Sequence, residues 1–215
     1  MRNACTSPVT RMQLMVILIG LPNTQTGFGK LTAILPFTWM WFMDYSIQAT
    51  IRDLVAPEHQ ISCSSRLWRQ GLTELRRRGK NRHESGAFLL GHQEGSKRRI
   101  SKFIYYDDLD TYCLDTGIVV LDGSVFGKLW KICRDVDMKV IADVHTHPGI
   151  PLQSFTDRAN PMIGVPGHIA IIVPELARRI VGADELGVYE YLGNHRWLAY
   201  LKKDAPRFFY IGMWS

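Results

Sequence analysis

An apolar run from Met138 to Val144 leads into His145-Thr146-His147-Pro148, and a carboxylate follows at Asp157. On extended chain, residues i and i+2 project to the same side, so the two imidazoles can converge on one cation without a helix to space them. Asp157 can supply a third, anionic ligand through an oxygen. Three protein ligands leave the fourth position of a tetrahedral zinc site to water, the arrangement of a catalytic rather than a structural site. Bound zinc lowers the pKa of that water toward about 7, so the chemistry expected is hydrolysis. A general base is still useful, to take the proton and deliver it to a leaving amine, and it must come from elsewhere in the chain. An isolated HxH has many innocent occurrences, and a lone histidine on an apolar strand is more often a core residue. What makes this one specific is its sequel, with Pro148 and Gly149 turning the chain and Ser154-Phe155-Thr156-Asp157 arriving together. Asp143 lies two residues before His145 on the same side but further down the strand, which suits a supporting role behind the ligand.

The elements that must carry these residues read as an α/β domain. Tyr45 to Val55 alternates Ile47, Ala49 and Ile51, the period of a strand with one buried face. A helix follows, capped by Ser64 or Ser65. Trp68, Leu72 and Leu75 share one face, the arginines 66, 69, 76, 77 and 78 lie largely elsewhere, and Gly79 supplies the stop. Strands are predicted over Glu84–Gly91, Ile100–Tyr106, Gly117–Leu121, Met138–Val144, Ile169–Val173, Val188–Leu192, Trp197–Leu201 and Phe208–Ile211. A second helix is predicted from about Ser124 to Asp135, with Val125, Leu129 and Ile132 facing inward. His83, His92, His168 and His195 are scattered singly and read as non-ligands. The aromatic clusters Phe103, Tyr105, Tyr106 and Phe208, Phe209, Tyr210 read as packing.

With these residues in view, the chain resembles the JAB/MPN-plus (JAMM) zinc metalloprotease family, in its stand-alone bacterial form. The family pattern is a glutamate on an early strand, a distant HxHP, then a serine and an aspartate at short spacing. Glu84, opening Glu-Ser-Gly-Ala-Phe-Leu-Leu-Gly, looks like that glutamate, and His145, His147, Ser154 and Asp157 match the rest. The resemblance spans roughly Tyr45 to Lys202. It implies a cytidine-deaminase-like α/β fold with a mixed central sheet flanked by helices. It also implies one Zn2+ per chain on His145, His147 and Asp157, Glu84 as the acid/base on the metal's water, and Ser154 as a donor to the oxyanion. The substrate it implies is an amide, characteristically the isopeptide bond of a ubiquitin-like conjugate or its C-terminal tail. Ser154 also precedes Asp157 in the S-x-x-D form of a helix capping box, and the two roles can coexist. The loop from His147 to Asp157 is one residue shorter than the family's usual spacing, which Gly149 and Pro151 can absorb.

Composition narrows the alternatives. At 215 residues, 46% hydrophobic, the chain can bury one sizeable core, so a single domain is expected over residues 44–215. Residues 1–43 differ: they hold Arg2, Arg11 and Lys30, no acidic residue, and two apolar stretches, Met12–Leu21 and Leu31–Met43. Neither reaches the length of a spanning helix. This segment reads as a disordered extension, a mis-assigned start upstream of Met43, or a signal-like leader, and a membrane partner is expected nowhere else. Four widely spaced cysteines form no CxxC pair, which fits a reducing, cytoplasmic setting. A net charge of +6 is too modest to specify a nucleic-acid partner. A non-catalytic scaffold of the same fold and a nucleic-acid-associated JAB protein are the rival readings; zinc content and salt-dependent DNA binding discriminate them.

Overall fold

The computed structural model describes residues 58–213, apart from Ile118 and Val120. The strand expected over Tyr45–Val55 and the segment 1–43 lie outside the described residues. The elements are β1 (Ile61–Ser64), α1 (Ser65–Arg78), β2 (Gly86–Glu94), β3 (Lys97–Tyr105), α2 (Tyr106–Leu109), α3 (Val125–Asp135), β4 (Lys139–Thr146), α4 (Phe155–Ala159), β5 (Ile169–Val173), β6 (Gly187–Gly193), β7 (Arg196–Leu201), α5 (Ala205–Phe208) and β8 (Phe209–Gly212). The strands form one sheet in the order β7-β6-β5-β4-β2-β3-β1-β8. It is mixed: β4 runs parallel to β5, β1 is parallel to both β3 and β8, and the remaining pairs are antiparallel. The α/β class expected from the sequence is what forms.

Among the described residues, each face of the sheet takes one long helix. The Ser64 hydroxyl caps α1 by accepting from Leu67 N–H at 3.3 Å, and Gly79 ends the helix as its C-cap. Its apolar stripe, Trp68, Leu72 and Leu75, is wholly buried against Ala87, Leu89, Ala142 and Val144. Burial of three large side chains is worth roughly 1.5–3 kcal/mol apiece, and the Trp68 indole N–H is satisfied by the Val181 carbonyl at 3.0 Å. Two of the five arginines of α1 are held in ion pairs, and Arg76 donates to the Asn81 side chain at 2.7 Å. Arg78 bridges Glu74, Asp107 and Asp108 and lies over the Tyr105 ring, while Arg77 pairs with Glu74. On the opposite face, α3 buries Val125, Leu129 and Cys133 among Phe88, Leu90 and Ile104, with Ile132 only partly buried. Phe103, Tyr106, Phe208 and Phe209 are core residues, as expected.

Two expectations change. The four-residue β1 was not foreseen, being too short to show a period. No strand forms at Gly117, Val119 or Leu121. Gly117 adopts a positive φ of 87°, which a regular strand excludes. Its carbonyl accepts from Glu84 N–H at 3.1 Å, which sets Gly117 beside Glu84.

Candidate metal centre

The centre is built at the C-terminal end of β4, where β2 and β5 flank it. Alternation along β4 sends Ala142 and Val144 into the α1 core and Asp143 and His145 to the α3 side. The antiparallel register pairs Gly86 with His145, and continuing it brings Glu84 opposite His147, on the same face. Between the histidines, Thr146 locks this register: its N–H donates to the Ser85 carbonyl at 2.9 Å and its hydroxyl accepts from Ser85 N–H at 3.0 Å. Ser85 in turn donates its hydroxyl to the Leu75 carbonyl of α1. Gly86 is needed here, because a Cβ would run into the Tyr106 ring. His147 is held on the other side, its N–H donating to Val173 and its carbonyl accepting from Leu176.

Asp157 arrives from a separate segment. Ser154 and Asp157 form a reciprocal capping box at the start of α4: the Ser154 hydroxyl accepts from Asp157 N–H at 3.1 Å, and the Asp157 carboxylate accepts from Ser154 N–H at 2.6 Å. The preceding loop is pinned by Tyr189, whose hydroxyl donates to the Pro151 carbonyl at 3.0 Å and accepts from Gln153 N–H. Gly187 permits that approach, since a Cβ there would strike the same carbonyl. The shorter loop is thus anchored at several points, and Asp157 reaches both histidines.

His145 Nε2 lies 3.0 Å from His147 Nε2 and 3.6 Å from one Asp157 oxygen, and His147 Nε2 lies 3.2 Å from the other. Ligands about 2.0–2.1 Å from a tetrahedral zinc stand about 3.3 Å apart, so the donor triangle fits such an ion. Two imidazole nitrogens facing each other at this distance need a proton or a metal cation between them. Both rings are buried, and Asp157 is partly exposed. Burial of His145 opposes its charge, but Asp143 and Asp157 outweigh burial and push its pKa up to about 9. Burial likewise opposes the Asp157 charge, yet the two histidines hold its carboxyl well below the usual range. Glu84 is half-buried beside this group. Burial raises its pKa, while His147 and His145 pull the other way; its carboxylate accepts a backbone hydrogen bond from Val119.

One residue read as a non-ligand takes part behind the metal group. His168, just before β5, is buried with its Nε2 2.6 Å from Asp143 Oδ1. The other Asp143 oxygen receives the Tyr106 hydroxyl at 3.4 Å and stands 3.8 Å from His145 Nδ1, a buried nitrogen with no hydrogen-bond partner among the described residues. A carboxylate behind a ligating histidine fixes the ring's orientation; Asp143 has the position expected of it. The only trace of His168 in the sequence is its place just before the Ile169–Val173 strand.

No protein-family model matches the chain. The fold is similar to the solution structure of protein DSY2949 from Desulfitobacterium hafniense, a structural genomics target. That match has a TM-score of 0.52 at 15% identity and covers 70% of this chain and 92% of that one. At that identity the likeness concerns the fold alone. No helix among the described residues is long and apolar enough to cross a membrane.

Proposed function

We infer that the protein is a zinc metallopeptidase of the JAB/MPN-plus type, cleaving amide or isopeptide bonds of a ubiquitin-like conjugate. The observation carrying this reading is the convergence of His145, His147 and Asp157 at 3.0–3.6 Å, with Glu84 beside them. The mixed sheet between two helices is consistent with the cytidine-deaminase-like fold that the motif implies. When bound, zinc would polarise the scissile carbonyl and acidify a water molecule. Glu84 is suited to take that water's proton, because burial raises its pKa from the ordinary carboxylate range. It then delivers the proton to the leaving nitrogen as the C–N bond breaks, the water oxygen remaining on the acyl carbon. The Ser154 hydroxyl accepts from Asp157 N–H and keeps its own proton available for the oxyanion. Asp143, 3.8 Å behind His145 Nδ1, is placed to orient that ring.

The test is zinc stoichiometry in wild type, His145→Ala and Asp157→Ala, with folding checked by circular dichroism. Near one zinc per chain, lost in the folded variants, is expected. No metal bound after zinc is supplied would overturn the reading. Cleavage of a ubiquitin-like conjugate, abolished in Glu84→Ala, would then establish the substrate class.

A further inference from the structure

A cleft of about 470 Å³ opens near the start of β4, toward the opposite end of that strand from His145. Its lining includes the cationic Arg98 and Lys139, the apolar Trp130, Met138, Ile163 and Val165, and His168. Arg98 is partly buried; its side chain donates to the Gly167 carbonyl at 3.2 Å and its guanidinium lies 5.9 Å from the centre of the Phe208 ring, but among the described residues it has no ion pair. The nearest acidic influence, Glu190, acts from beyond ion-pair distance and accepts the Tyr200 hydroxyl at 3.1 Å instead. Burial accordingly weakens the guanidinium's hold on its proton. A desolvated charge normally finds a counter-charge, and a guanidinium fork matches a planar carboxylate. Trp130 and Val165, 40% and 61% exposed, leave apolar surface in the same cleft open to solvent. The volume is that of a small-molecule site.

We propose that this cleft binds a small amphipathic carboxylate, its head on Arg98 with Lys139 alongside and its apolar body between Trp130, Met138, Ile163 and Val165. The cleft contains none of His145, His147 and Asp157, although His168 joins it to Asp143 behind them, and its test reads ligand binding and neither zinc content nor turnover. Binding of decanoate, below its micelle concentration, is measured calorimetrically on the full chain against decan-1-ol, which has the body without the charge, and inorganic phosphate, which has charge without the body. One decanoate per chain is expected, with both controls at least tenfold weaker. Arg98→Gln should lower decanoate affinity at least tenfold. So should Val165→Glu, an exposed position where a carboxylate repels the ligand without disturbing the core. Equal binding by wild type and both variants, decanol binding as well as decanoate, or no decanoate binding at all would overturn the proposal. Phosphate binding as tightly as decanoate would overturn the apolar half of the site.

Discussion

The two faces of β4 are one residue apart and chemically opposite. Ala142 and Val144 face α1 in a layer made almost entirely of apolar side chains. Asp143 and His145, on the other face, belong to a buried polar chain running from Tyr106 and His168 to the candidate metal ligands. The first face obtains its stability from burial alone. The second carries charges that are tolerable only because each meets a partner. Substitutions on the α1 side should therefore cost folding stability, and substitutions on the other side should cost metal affinity or turnover.

The sharpest contrast is expected between Glu84→Gln and Leu72→Ala. Glu84→Gln should lower kcat by about 10²–10⁴-fold with zinc content unchanged, read by steady-state hydrolysis beside metal analysis. Leu72→Ala, at a fully buried position, should cost about 2–5 kcal/mol in denaturant unfolding while the folded fraction still binds one zinc. Loss of zinc affinity in folded Leu72→Ala would break the division between the faces. Asp143→Asn should lower zinc affinity by about 10–100-fold, measured by competition with a chelator. An unchanged affinity would mean that the 3.8 Å approach to His145 does not orient the ring.

The same face predicts a pH dependence. With its pKa pushed up to about 9, metal-free His145 carries a proton at neutral pH that zinc must displace. Apparent zinc affinity should rise with pH, by up to about tenfold per unit for one proton, and level off above about pH 9. The metal-free protein behaves oppositely: the charged His145 stabilises the fold at low pH, and that contribution is lost as pH rises through about 9. The smallest effect is expected for Ser154→Ala, which removes one capping bond at about 1 kcal/mol and leaves the Ser154 N–H bond to Asp157 in place. A fall in its kcat with zinc retained would assign the hydroxyl to the oxyanion as well as to the cap.

Local signals specified much of this molecule. Helix α1 was readable because its cap, apolar stripe and glycine stop all lie within a few residues of one another. The two histidines were readable because an extended chain puts i and i+2 on one side whatever surrounds it. Strand β1 is too short to carry a period, and the apolar run after Gly117 carries no sign of the positive φ that takes Gly117 itself out of a strand. Nothing near His168 in sequence marks a partner; only the parallel pairing of β4 with β5, which sets Asp143 beside Ala170, brings it to that carboxylate.

The sequence by itself determined the donor types and the periodicities of the elements that present them, since both depend on side-chain identity and backbone geometry over a few residues. The tertiary structure decided which distant groups meet. Strand register sets Glu84 opposite His147, the capping box turns Asp157 toward both imidazoles, and sheet pairing leaves Arg98 without a carboxylate in its cleft. The physical reason is that electrostatic and ligand contacts act over a few ångströms in space, between segments separated by tens of residues along the chain.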